Sequence, residues 1–172
     1  MKKILILIPL FLVSICAILS ATQDMVQTPY NGTAQFEKMK SLAGHWKGTS
    51  TSYGKTEPAE VIYETSSAQS VVVEKLFPGT PHEMVSVYRD EKGRLEMTHY
   101  CMLKNHPELK LVSAAGNEMH FEFTKTPGIK KKDPHMHSLT LKVDSPDHLI
   151  HEWTLYQAGK PSGKTVIDLH RV

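Results

Sequence analysis

The sequence predicts an all-β domain, an antiparallel barrel or sandwich of about ten strands entered by one short helix. Three observations predict it. The apolar period changes at Gly44 from about three to two. Turn chemistry then recurs at short intervals, as in Asp90-Glu91-Lys92-Gly93, Ala115-Gly116-Asn117, Ser145-Pro146-Asp147 and Gly159-Lys160-Pro161-Ser162-Gly163. Finally, no stretch between these turns is long enough to hold a second domain.

In chain order, residues 1–21 have the three parts of a secretory signal peptide. Lys2 and Lys3 supply a positive start, Ile4 to Leu19 an apolar run, and Ser20-Ala21 small residues for cleavage before Thr22. The run is short for a bilayer span, and no basic stop-transfer cluster follows it. Cys16 is preceded by Ile15, which is not the small residue that lipidation wants. The chain is therefore expected to be exported, periplasmic or secreted, with no stable membrane span in its mature form. Residues 22–32 read as a polar, flexible lead-in, and 33–172 as the β domain.

Thr33 is placed to cap a helix through its hydroxyl, and Phe36, Met39 and Leu42 give that helix an apolar face before Gly44 ends it. Strands are expected near 45–53, 59–66, 69–77, 83–89, 94–103, 108–114, 118–124, 136–143, 148–156 and 164–171. Alternation puts Met119, Phe121 and Phe123 on one face, Ile167, Leu169 and Arg171 on another, and His99 and Cys101 with Leu95 and Met97.

Removing the leader changes the charge balance. The whole chain carries 20 Lys+Arg against 18 Asp+Glu, and the leader holds two of the lysines. The remaining domain is balanced, which argues against a nucleic-acid binder that needs a sustained positive surface. It also keeps one cysteine, Cys101, so no intramolecular disulfide is available.

Gly44-His45-Trp46-Lys47-Gly48 opens the first strand directly after the helix, and Arg171 stands on the last strand. A helix, then Gly-x-Trp-x-Gly, then a terminal Arg resembles the calycin superfamily, which includes lipocalins, fatty-acid-binding proteins and the haem-binding nitrobindins. The resemblance implies a calycin-like antiparallel β-barrel over 33–172, in which Trp46 plugs the closed end and Arg171 stacks over its ring. An indole face attracts a guanidinium, whose donors can tie down the entering helix. The run from Leu76 to Val85, with Thr98-His99-Tyr100-Cys101, resembles exported bacterial proteins of unknown function with lipocalin-like barrels. Nitrobindins hold haem through a late His; here His170 is late but two residues from the end.

The residues expected to line a ligand site are His82, Glu83, His99, Tyr100 and Cys101. Pro78-Gly79-Thr80-Pro81 forms a rigid turn delivering His82 and Glu83 to one strand, and the next strand carries His99, Tyr100 and Cys101. Polar groups on an otherwise apolar inward face suit a small-molecule cavity. His135-Met136-His137 puts two imidazoles on one strand face, about 6.7 Å apart, a spacing that can ligate a metal. His148, Glu152 and Thr154 share a face, and His151 and Trp153 the other; either set can line the cavity or the outside. Cys101 with His99 or His82 and Glu83 has the composition of a thiol triad, but no oxyanion loop or helix N-terminus precedes it.

The function expected is binding of a small, largely apolar molecule inside the barrel. A haem- or metal-binding barrel using the histidines, and a thiol-dependent or hydrolytic enzyme, are the alternatives. No catalytic residue, cofactor or oligomeric state is assigned.

Overall fold

A computed structural model describes residues 28–172. The expected leader and the first part of the lead-in lie outside the described residues. Helix α1 (Ala34–Lys40) is followed by β1 (Gly44–Ser52), β2 (Lys55–Ser66), β3 (Val71–Leu76), β4 (Met84–Glu91) and β5 (Arg94–Tyr100). Then come β6 (Glu108–Ala115), β7 (Glu118–Phe123), β8 (His135–Ser145), β9 (His148–Gln157) and β10 (Lys160–Arg171). Each strand pairs antiparallel with its sequence neighbours, and β10 returns to pair with β1, closing the barrel. Closure removes sheet edges, so every strand pairs on both sides over part of its length. Among the described residues no helix is long and apolar enough to cross a membrane.

The helix starts where its cap says it should. Thr33 Oγ1 accepts from the Phe36 N–H at 3.3 Å, while the Thr33 backbone N–H and hydroxyl both donate to the Asp90 carboxylate at the end of β4. One residue thus nucleates α1 and pins it to the barrel. Phe36, Met39 and Leu42 are fully buried beneath it.

Three strand boundaries differ from the sequence reading by three residues or more. β10 begins at Lys160, not 164: Ala158-Gly159, both with positive φ, make the turn, and the expected connector 159–163 otherwise pairs with β9 across a bulge between Pro161 and Gly163. β2 begins at Lys55 because Tyr53-Gly54, both with positive φ, forms a two-residue hairpin turn. Pro58 pairs with β1 but precedes the first β2–β3 pair at Val61, so the ladder to β3 loses no donor there. β5 ends at Tyr100, not 103. Cys101 leaves the strand in a turn closed by Lys104 N–H to the Cys101 carbonyl at 2.9 Å. The outward face carries ion pairs such as Glu152 with Lys142 and Lys164, so Glu152 belongs to the outer surface.

The helix covers one end of the barrel. Trp46 is fully buried there, its indole N–H donating to the Leu42 carbonyl at 2.9 Å. The Arg171 guanidinium lies 4.3 Å over the Trp46 ring and donates to the carbonyls of Ala43, Ser41 and Pro146. Gly48 permits this closure: a Cβ there would sit 1.9 Å from the Asp168 carbonyl oxygen of β10.

Candidate functional site

The opposite end of the barrel holds an internal cavity of about 120 Å³. Its walls are Leu76, Phe77, Met84, Met136 and Ile167, with His99, Trp153 and Thr165 as the polar-bearing members. Phe77, Met84 and Thr165 also line an outer groove of about 340 Å³ that continues past Pro58, His82 and Met102. The cavity therefore opens toward the groove beside Phe77. Phe77 itself has φ +53°, a conformation that costs a bulky residue free energy, and its N–H is held by the Glu60 carbonyl at 2.8 Å.

Strand alternation brings His99 inward from β5 and Trp153 inward from β9. Their rings lie 4.6 Å apart. His99 Nδ1 is 3.0 Å from the Ser86 hydroxyl on paired β4. Burial pushes the His99 imidazole down to about 4, against the opposing pull of the Glu74 charge, so the ring is neutral near pH 7. The Trp153 indole N–H is buried and has no hydrogen-bond partner among the described residues. An unpaired buried donor costs on the order of 1–3 kcal/mol, so a donor left this way beside a cavity is a feature that a ligand acceptor would relieve.

Beside them sits a fully buried polar cluster. Tyr63 Oη and Tyr88 Oη donate to the two Glu74 carboxylate oxygens at 2.7 and 3.0 Å. Burial first, then the Glu74 charge, raises both phenols well above their usual range, so both keep the protons they donate. Tyr63 Oη, its own hydrogen given to Glu74, accepts from His151 Nε2 at 2.9 Å. Burial lowers the His151 pKa, opposed by Glu74. His151 Nδ1 has no hydrogen-bond partner among the described residues and stands 3.5 Å from Glu74 Oε1.

The five residues expected at the site are not brought together. His99 reaches the cavity. His82 is exposed in the outer groove, 3.4 Å from Met102 Sδ, and Glu83 is exposed with its carboxylate accepting from the Gly79 N–H. Tyr100 points outward and stacks on His106. Cys101, off the strand, is half-buried, and burial pushes its thiol pKa up, so the thiolate that a nucleophile needs is disfavoured. Trp153 and Glu74 were not among the expected residues; Trp153 lay in one of two open faces, and the signal that could have found Glu74 is an acid at the alternate position between the buried Val72 and Leu76.

His135 and His137 share the outer flank because β8 bulges between Met136 and Ser138, which turns Met136 inward. His135 Nδ1 donates to the Asp133 carbonyl at 2.8 Å. In the neutral pair its Nε2 then accepts from His137 Nδ1 at 3.0 Å, so the two rings together offer one free nitrogen, His137 Nε2. They do not form a chelate as arranged. They line a flank pocket of about 510 Å³ with Phe123, Tyr156 and Lys130.

Haem, the alternative raised by the histidines and by the nitrobindin comparison, does not fit the interior. The 120 Å³ cavity is far smaller than a porphyrin, His99 is buried between Ser86 and Trp153, and His170 lies on the outer face at the far end.

An acid titration tests the state of His99. The unfolded imidazole ionises near 6.5, whereas the folded one resists protonation until about 4. Between these values the unfolded chain takes up a proton that the folded chain refuses. Stability from this group is therefore full above pH 6.5 and falls by about 3 kcal/mol as pH drops to 4. Urea unfolding at several pH values should show this slope, and His99→Gln should flatten it.

No protein-family model matches the chain, and no curated protein matches it in sequence. Among solved structures, a protein of unknown function of the DUF3598 family from Nostoc punctiforme is 9% identical over 81% of this chain and 100% of its own, with a TM-score of 0.29. The crystal structure of Rv2717c from M. tuberculosis is 14% identical and covers 83% of this chain and 99% of its own, with a TM-score of 0.56. This second likeness is one of fold.

Proposed function

We propose that this is an exported binding protein for a small, largely apolar molecule carrying one hydrogen-bond acceptor. The observation that carries the reading is the buried, unpartnered Trp153 N–H beside a largely apolar cavity. The acceptor of the ligand pairs with that N–H, neutral His99 flanks it, and apolar walls hold the rest. A cavity of comparable size lined by apolar side chains accepts benzene-sized molecules. Larger ligands extend past Phe77 into the groove lined by Pro58, Met84 and Met102. The leader in the sequence supports export. The raised Cys101 thiol and the separation of His82 and Glu83 from His99 speak for binding over thiol catalysis.

Cyclohexanone and cyclohexane are the matched probes, equal in shape and differing in an acceptor. The chain has two tryptophans, so indole N–H resonances report directly. The Trp46 signal, bonded to Leu42, is expected to stay while the Trp153 signal shifts with cyclohexanone. Trp153→Phe should weaken cyclohexanone about fivefold, one neutral hydrogen bond, and leave cyclohexane unaffected. Ile167→Trp fills the cavity and should abolish both. If neither probe moves Trp153, or if binding survives Ile167→Trp in a folded protein, the proposal is wrong.

A further inference from the structure

On the outside of the barrel, at the closed end, three side chains converge that the binding cavity does not use. We propose that His148, Asp168 and His170 bind a divalent transition-metal ion, with zinc(II) the best match to their chemistry. The register makes the cluster: His148 on β9 lies directly opposite His170 on β10, and Asp168 is the next outward residue on β10. The two imidazoles stack face to face, 4.6 Å between centroids and 6° between planes. Both turn Nε2 toward the same carboxylate oxygen, Asp168 Oδ1, at 2.9 Å from His148 and 3.9 Å from His170. One donor atom from each residue lies within 4.8 Å of the others.

Two imidazoles and one carboxylate are a donor set that zinc uses. A tetrahedral zinc ion with bonds of about 2.0–2.1 Å holds its donors about 3.3 Å apart, between the two distances to Asp168. Small side-chain rotations reach that geometry, with the ion replacing the proton now shared between His148 and Asp168. The far nitrogen of His148 already has company: Asp144 Oδ2 stands 3.6 Å from Nδ1. A carboxylate behind a ligating imidazole fixes its tautomer and raises its basicity. Lys47 on β1 lies opposite His170, but its ammonium pairs with Glu60 at 3.6 Å. Three protein donors leave one position open to solvent or to an added ligand. Paired strands fix the Cα positions of His148, Asp168 and His170, so binding demands little reordering.

The test uses the mature chain without an affinity tag. Titration with cobalt(II) should give the visible absorption of a four-coordinate site at one ion per chain, displaced by zinc(II). Calorimetry with zinc(II) should show Asp168→Asn and His170→Gln weaker on the order of 100-fold and Asp144→Asn about tenfold. His137→Gln, at the other histidine pair, should leave the affinity unchanged. Circular dichroism establishes that each variant is folded. Zinc affinity equal in wild type and Asp168→Asn, or lost in His137→Gln instead, would mean adventitious binding to surface histidines and would overturn the proposal. A cobalt spectrum that stays that of the six-coordinate aqua ion would do the same. The site lies at the far end of the barrel from the cavity, so it stands or falls independently of the ligand reading.

Discussion

Glu74→Ala is expected to cost about 3–5 kcal/mol, from two buried phenols left without an acceptor at about 1–3 kcal/mol each, plus a cavity. The reason is what it leaves behind. Tyr63 and Tyr88, both fully buried, lose the acceptor that each phenol uses, and a void remains between β2, β3 and β4. Glu74→Gln should cost less, about 1–2 kcal/mol, because the amide oxygen still accepts from one phenol and the other hydroxyl can turn to accept from the amide. The combination Glu74→Leu with Tyr63→Phe and Tyr88→Phe should recover most of the loss, since removing every polar partner together leaves nothing unsatisfied. Urea unfolding of the four proteins measures these differences. A Glu74→Ala protein as stable as wild type would mean that the cluster is not held as described. The network also reaches the cavity. The Glu74 charge raises the His99 pKa against burial, so Glu74→Gln should lower it further still, visible in an NMR titration of the imidazole.

Much of this architecture can be read from residue order. Thr33 before Phe36, Met39 and Leu42 marks both the start and the buried face of α1. The turn residues place β4, β7 and β9 to within a residue or two. Alternation alone also sends Ile167 and Leu169 inward, and both are buried. What alternation does not carry is anything that depends on a ladder irregularity or on the far wall. The bulge at 137 changes which neighbour of His137 faces inside, and no local pattern announces it. Cys101 follows the period of Leu95, Met97 and His99, yet the chain has already turned away by then. Glu74 sits between Val72 and Leu76 on the inward face, a local conflict that signals a buried acid. Its partners, though, come from register: Tyr63 is opposite it on β2, while Tyr88 reaches it from β4, where it pairs with Val72. The unpaired Trp153 N–H is further from the sequence still. It is defined by what the opposite wall fails to offer, which exists only once the barrel has closed.

Trp46→Ala should be the second severe change, at about 3–5 kcal/mol for emptying a fully buried indole site. Its effect is expected to extend to Arg171, because the guanidinium is held between the ring and the helix. Arg171→Ala removes the donors to the carbonyls of Ser41, Ala43 and Pro146, together with the cation–π contact, and should cost about 2–3 kcal/mol. Arg171→Lys should recover little of this. An ammonium on a flexible stem keeps the charge but cannot span three carbonyls set around a planar fork. A double-mutant cycle over Trp46→Phe and Arg171→Lys should show a coupling of about 1 kcal/mol, the stacking component. Amide exchange localises the consequence: in Arg171→Ala the N–H groups of α1 should lose protection before those of β6 and β7, since the helix is tied to β10 through this side chain. Equal loss of protection throughout would mean that Arg171 supports the barrel as a whole. Selective loss in α1 would make it the latch of the closed end, and a latched end leaves the mouth beside Phe77 as the route to Trp153.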